Sequence, residues 1–398
     1  MKTYLGALDI GTQTTRLVAG EYADGNLAVE ACLEAQTTGV KKGVIRDLDE
    51  VSKSIRNLGR EMKERYHIEL YDVSVSFSAG AIKDIARTGR KSLLAGHPIE
   101  RADVEDAEQN AGSLESPDAA ERVLQRFQQR YEVNGQPVNN PIGMSGTDLV
   151  ANVLELTAPS AAVEAVYAAV QRAGMRVADL TFSALAAAMA VLDRKARESG
   201  TIVIDFGAGT VDVIAFCNGV VAAAVTLGVG GFHLTNDLAL AFNVSQAQAE
   251  EMKLERGAAM IQPDIAHERY AVATKFATAN RSFSVHAIQT VLTERVDETL
   301  SIVRNQLVER GVLPHVHQVV LTGGTAGLPL ITERVSAIFS LPCVLGVPSG
   351  FAQLPKEMTN APYRQATVLG LLKWRQMLLA QAAPSQSLFA RFKSFLRG

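Results

Sequence analysis

The sequence predicts an α/β chain of two duplicated halves closing on a ligand, with a small α+β domain inserted in the first half and an amphipathic C-terminal helix. Three observations carry this. Residues 202–226, IVIDFGAGTVDVIAFCNGVVAAAVT, read as strand, glycine turn, strand, hairpin and strand. Residues 7–29, ALDIGTQTTRLVAGEYADGNLAV, repeat that plan. Asp9, Gly11 and Thr14 have the spacing of Asp205, Gly207 and Thr210, and each copy ends in a hairpin signal, Asp24-Gly25 or Asn218-Gly219. Residues 80–150 then break the texture of the first half, being polar with strand-like pieces.

The turns explain why a ligand is expected. Ile202, Val203 and Ile204 are a β-branched run suited to a buried strand. In Asp205-Phe206-Gly207-Ala208-Gly209-Thr210 the glycines let backbone approach a ligand, and successive N–H groups make a concavity that attracts phosphate. Asp205 is placed to hold a phosphate-bound metal, most simply through water. One such stretch alone reads equally well as an ordinary β-turn; two of them half a chain apart suggest a clamp.

Composition bounds the function. With 398 residues, 47% hydrophobic, the chain is globular with room for two to four domains. A net charge of −3 implies no nucleic-acid partner. The charge is uneven: residues 1–357 carry −9, whereas Arg364, Lys373, Arg375, Arg391, Lys393 and Arg397 follow with no acid among them. Cys32, Cys217 and Cys343 form no disulfide or zinc pattern and fit a reducing compartment, and the N-terminus shows no signal peptide. Residues 213–232 are uncharged, but Asn218-Gly219 and the glycines at 228, 230 and 231 argue for a hairpin rather than a membrane span.

In chain order, Gly39 to Asp47 is a basic segment, GVKKGVIRD; Asp47 with Glu50 resembles a capping box for a helix with Val51, Ile55, Leu58 and Met62 on one face. Tyr71 to Ser78 alternates like a strand. The inserted region has a helix candidate from Ala102 to Ser113 and a loop whose Gly143-Met144-Ser145-Gly146 is one residue short of a nucleophile elbow. Ser160 is read as the cap of a helix ended by Gly174, and a second helix is expected from Leu185 to Lys195. Gly228 to Gly231 feeds a further helix. Ser245 with Gln248 caps the next, on which Glu250 and Lys253 share a face, by themselves no more than a surface ion pair. A long amphipathic helix covers 287–310. Val319 to Thr325 is a third strand-to-glycine turn opening a helix. No GxxxxGK[ST] loop or complete GxGxxG occurs, and His315 with His317 lacks the further ligands zinc needs.

Residues 381–387 read as a linker. In 388–398, Leu388, Phe389, Phe392, Phe395 and Leu396 fall on one helical arc, flanked by Arg391, Lys393 and Arg397. That pattern suits a helix lying in an anionic membrane surface, with the packed terminal helix as the other reading. One such helix binds marginally, so the tail also hints at self-association.

The three glycine turns, in this order, resemble the two phosphate motifs and the adenosine motif of the actin, Hsp70 and sugar-kinase superfamily. GVKKGVIRDL (39–48), NPIGMSG (140–146), GVGGFHLTND (228–237) and the terminal helix are similar to the FtsA family of bacterial cell-division proteins. The resemblance implies an actin-like ATPase fold in which 1–79, 157–195 and 360–380 form subdomain 1A, 80–156 the inserted subdomain 1C, 196–229 and 314–359 subdomain 2A, and 230–313 subdomain 2B. It implies ATP in the cleft: Gly11, Thr12 and Gln13 on one side of the phosphates, Gly207, Gly209 and Thr210 on the other, and Mg²⁺ held through water by Asp9 and Asp205. Glu250 and Lys253 would face the ribose and adenine above Gly323, Gly324 and Thr325. The implied partners are the C-terminal tail of FtsZ at 230–313, other copies of the chain and late division membrane proteins at the inserted domain, and the cytoplasmic face of the inner membrane at the tail.

Two departures matter. Thr14 stands where the family often has a lysine, and Ser183 stands where many actin-fold ATPases orient the attacking water with Glu or Gln. Tight ATP binding with slow or absent hydrolysis is therefore expected. A PilM-like pilus assembly protein is the nearest alternative and a metabolite kinase a more distant one; neither needs the phenylalanine-rich tail. With so little chain after residue 370, an Hsp70-type chaperone is nearly excluded.

Overall fold

The computed structural model describes residues 4–23, 25–80, 82–112, 120–272 and 281–382. Two five-stranded sheets have the same topology. The first runs Arg176–Phe182, Asp72–Phe77, Tyr4–Ile10, Thr14–Ala23, Asn26–Gln36, and the second Cys343–Leu345, Gln318–Thr322, Thr201–Phe206, Val211–Cys217, Val220–Leu227. In each, three antiparallel strands form a meander and two parallel strands extend it. The duplication extends to register: Asp9 lies opposite Arg16, and Asp205 opposite Asp212. The uncharged stretch after Asp212 is a hairpin turning at Asn218 and Gly219, both at positive φ, as a two-residue turn requires. No described helix is long and apolar enough to cross a membrane.

The inserted region makes its own antiparallel sheet, Lys83–Ser92, Asp148–Pro159, Glu121–Val133, Gln136–Val138, with the helix Arg101–Asn110 against it. Its edge also touches the second half. The guanidinium of Arg310 grips Asp84 (2.8 and 2.9 Å), and Gln129 Nε2 donates to the Val221 carbonyl at 2.8 Å. The insertion thus bridges both halves.

Several elements differ locally from expectation. The helix expected over Leu185–Lys195 is two: Ser183–Val191, then Arg194–Ser199, separated by an extended Leu192 and restarted by the Asp193 side chain accepting from Ala196 N. The break follows composition: 183–190 are buried all round, whereas the second piece is charged. Ser160 is the first residue inside its helix and Pro159 holds the cap position. The third glycine turn opens into a 3₁₀ turn, Gly324–Gly327, with the α-helix starting only at Ile331.

The helix Ala366–Ala382 crosses Ser183–Val191 where the halves join. The crossing admits no side chain: a Cβ on Gly370 would lie 1.6 Å from the Ala186 carbonyl oxygen. Backbone cannot yield as a flexible side chain can, so Gly370→Ala is expected to cost about 3 kcal/mol or more. Chemical denaturation would register this as a lower midpoint at unchanged slope; a midpoint equal to wild type would show that the helices slide apart freely.

Candidate nucleotide site

Each half delivers its glycine loop from the end of its central strand, closed by the same bond: Gly11 N donates to Thr14 O at 3.1 Å, and Gly207 N to Thr210 O at 2.9 Å. The loops meet face to face. A Cβ on Gly209 would stand 2.2 Å from Thr12 Oγ1, so only glycine lets the second loop come this close. Thr12 Oγ1 also accepts from Gly43 N (3.1 Å), which sets the basic segment 39–47 against the first loop.

Behind the loops stand three carboxylates. Asp9 accepts from Ser76 Oγ at 2.6 Å. Asp205 accepts from Thr367 Oγ1 at 2.8 Å. Asp212 takes Ser78 Oγ (2.5 Å) and Thr210 Oγ1 (3.0 Å) on one oxygen and Thr226 Oγ1 (2.9 Å) on the other. Burial raises the pKa of all three. Asp205 is pushed up to about 6, with Asp9 adding to the effect of burial, and Asp212 to about 7, with Asp205 adding.

This has a measurable consequence. Up to those values the folded chain holds protons on Asp205 and Asp212 that the unfolded chain has released above about pH 4. Their contribution to stability is therefore full below the unfolded pKa and declines as pH rises through 6 and 7. For Asp212 the loss is on the order of 4 kcal/mol. Without nucleotide, Asp212→Asn, whose amide the rotatable hydroxyls of Ser78 and Thr210 can accept, should flatten the fall in melting temperature between pH 5 and 7.5. An unchanged slope would refute a buried, protonated Asp212.

The base side is built by contact with the second loop. Gly231 N and Phe232 N donate to the carbonyls of Gly207 and Ala208 (3.0 and 2.8 Å), and Thr325 Oγ1 donates to Gly207 O at 3.0 Å. Gly323, at φ 90°, presses against Asp205 and Phe206, where a Cβ would fall 2.5 Å from each nearest oxygen. Glu250 is not a loose surface partner. Lys253 Nζ donates to it at 2.7 Å, and to Thr235 Oγ1 and Gly231 O at 2.8 and 3.3 Å, which ties the pair to the helix Gly231–Phe242.

Two adjoining hollows result, of about 100 and 250 Å³. Asp9, Gly11, Thr12, Gln13, Asp205, Gly207, Gly209, Thr210, Gly323 and Gly324 line the first; Gln13, Glu250, Lys253, Gly324 and Thr325 line the second. They share Gln13, Ala208, Gly324 and Arg364, and so form one cleft. Ser183 also lines the first hollow. Leu388, Phe389, Arg391, Phe392, Lys393, Phe395, Leu396 and Arg397 lie outside the described residues. Sequence reasoning missed Arg16, Gly43, Ser78, Asp212, Arg364 and Thr367, which also line the first hollow. For Asp212 and Arg16 a signal existed: each lies seven residues after the aspartate that opens its motif.

The arrangement fits a nucleotide with a divalent cation. At Gly11 and Gly209 the loops leave no room for a side chain, and a cation would relieve the crowding of buried carboxylates. Among the described residues no cluster of three His, Cys, Asp or Glu side chains could hold a metal ion.

Comparison with known proteins places this geometry. The family model for cell division protein FtsA matches residues 202–370, and that for the SHS2 domain inserted in FtsA matches 81–157. The cell division protein FtsA of Pseudomonas aeruginosa is 30% identical over 92% of this chain and 88% of its own length; that of Escherichia coli (strain K12) is 26% identical over 92% and 89%. Among solved structures, a chain of a PilM–PilN type IV pilus biogenesis complex superposes with TM-score 0.65 at 16% identity, covering 94% of this chain and 99% of that one. MreB5 of Spiroplasma citri bound to ADP superposes with TM-score 0.58 at 13% identity, covering 96% and 99%. These likenesses establish the actin-like fold, and the sequence relatives decide between its branches. The chain belongs to the FtsA family of cell-division proteins.

Proposed function

We propose that the chain binds ATP with Mg²⁺ in this cleft, hydrolyses it slowly or not at all, polymerises, and tethers the FtsZ ring to the cytoplasmic face of the inner membrane at the division site. The observation that carries the nucleotide reading is the meeting of the two loops at Thr12 and Gly209. MreB5, of the same fold, has been solved with ADP and with AMPPNP. When bound, Mg²⁺ would supply positive charge beside Asp9 and Asp205, which favours their carboxylate forms. The chain's own residues orient the rest: Gly11, Thr12, Gln13, Gly207, Gly209 and Thr210 hold phosphate, Glu250 and Lys253 address the ribose and base, and Gly323, Gly324 and Thr325 floor the base.

Slow turnover follows from Ser183, whose hydroxyl is a short donor and a poor base at the place where a water must be activated. The division into subdomains 1A, 1C, 2A and 2B is part of this proposal, with 230–313 receiving the FtsZ tail, the inserted domain serving self-association and late division membrane proteins, and 388–398 the membrane. Calorimetry with ATP and Mg²⁺ on the full chain should show tight binding, and phosphate assays a rate far below that of a metabolic kinase. Rapid release abolished by Asp205→Ala would overturn the slow-turnover reading. Failure to bind an FtsZ tail peptide would favour the pilus-type role.

A further inference from the structure

We propose that Arg16 is the side-chain cation that holds the terminal phosphates of the bound nucleotide, with Glu34 fixing its guanidinium for the task. The proposal rests on the nucleotide reading above and deepens it. The duplication supplies the first argument. Arg16 and Asp212 occupy the same place in their halves, each opposite the aspartate that opens the motif, Asp9 or Asp205. One position thus carries opposite charges on the two sides of one cleft, and both residues line the phosphate hollow. The acid side crowds Asp212 against Asp205; the basic side confronts Asp9 with a guanidinium.

Strand geometry supplies the second. Side chains two apart on a strand share a face, so Arg16 emerges beside Thr14, and both line the hollow. A cation missing at 14 is therefore present on the same face at 16.

The third argument is how Arg16 is held. Its Nε donates to Glu34 Oε2 at 3.0 Å, across the pair of strands Thr14–Ala23 and Asn26–Gln36, where Arg16 and Glu34 face each other. Its NH1 stands 3.9 Å from Asp9 Oδ2, near enough for attraction and too far for a hydrogen bond. Glu34 thus occupies the Nε edge of the fork while NH1 lies toward Asp9, and a guanidinium can grip phosphate through paired N–H groups.

Charge supplies the fourth. Asp9, Asp205 and Asp212 line this hollow, and a triphosphate would add more negative charge than one divalent ion neutralises. Two basic side chains line it, Arg16 and Arg364. Arg364 is exposed and also lines the base-side hollow, so the Asp9 end of the phosphate chain falls to Arg16. Lys253 lines the other hollow and is engaged by Glu250.

The test is equilibrium binding of ATP, ADP and adenosine to full-length wild type, Arg16→Gln, Arg16→Lys and Glu34→Gln, with Mg²⁺ and with EDTA. Arg16→Gln should lose roughly 10- to 100-fold in ATP affinity, the scale of a hydrogen-bonded charge, less for ADP, and nothing for adenosine. The loss should persist without Mg²⁺. Arg16→Lys, which keeps the charge without the fork, and Glu34→Gln, which frees the fork, should lose less. An equal loss for adenosine would make Arg16 a structural residue, and a loss seen only with Mg²⁺ would mean that it acts through Asp9; either overturns the proposal. Should Arg16→Gln fail to fold, unchanged ATP affinity in both Arg16→Lys and Glu34→Gln overturns it equally. Wild type that binds no ATP removes the nucleotide reading itself, a distinguishable result.

Discussion

Gly209→Ala is expected to lower ATP affinity by roughly 10- to 100-fold, the equivalent of the 1–3 kcal/mol that overpacking costs. The added methyl would stand 2.2 Å from Thr12 Oγ1 and 2.8 Å from Thr12 Cβ, so the two loops must part or deform. The cost falls on the bound state, because nucleotide requires the loops at their joint spacing, whereas the apo protein can open. The pair makes a closed test. Thr12→Gly vacates the space the methyl needs, so the double substitution should bind better than the sum of the two losses predicts. Calorimetric titration of the four proteins measures this. Strict additivity would mean that the loops do not meet in the bound state, and the clamp would fall with it.

Ending the chain at Ala382 is expected to abolish co-sedimentation with anionic vesicles while leaving ATP affinity unchanged. The removed segment carries Leu388, Phe389, Phe392, Phe395 and Leu396 with Arg391, Lys393 and Arg397. Burying a phenylalanine contributes about 1.5–3 kcal/mol, and each basic residue near an anionic leaflet about 1 kcal/mol. Phe392→Asp in the full chain should therefore cost more than tenfold in apparent vesicle affinity. Raising salt should weaken wild type only in part, since the apolar share is unscreened. Equal sedimentation of the full and shortened chains would end the tether reading. Loss of ATP binding on shortening would instead tie the tail to the cleft.

How far the site was legible depends on range. The glycine loops, Asp9, Asp205 and Thr210 could be read as parts of one cleft because a glycine turn at a strand end leaves a short sequence trace, and its duplication made the trace credible. Glu250 and Lys253 read as a surface pair, since nothing local reveals that Thr235 and Gly231, on another helix, complete their shell. Thr367 was invisible because it meets Asp205 across 162 residues of chain. Asp212 was overlooked in an apolar strand, although its cross-strand place opposite Asp205 follows from the tight turn at 207–210.

The sequence alone determined the duplication, the order of the glycine turns, the insertion and the amphipathic pattern of residues 388–398. All of these rest on periodicity and local turn chemistry, which act over a few residues. Only the tertiary structure decided which charges share the cleft and how they are held. It set Thr12 against Gly209, buried three carboxylates together, turned Arg16 toward Asp9, and laid the insertion across both halves through Asp84 and Arg310. Such juxtapositions join residues far apart in the chain. Burial and proximity, which fix proton occupancy and the shape of the cleft, arise only when the two halves close on each other.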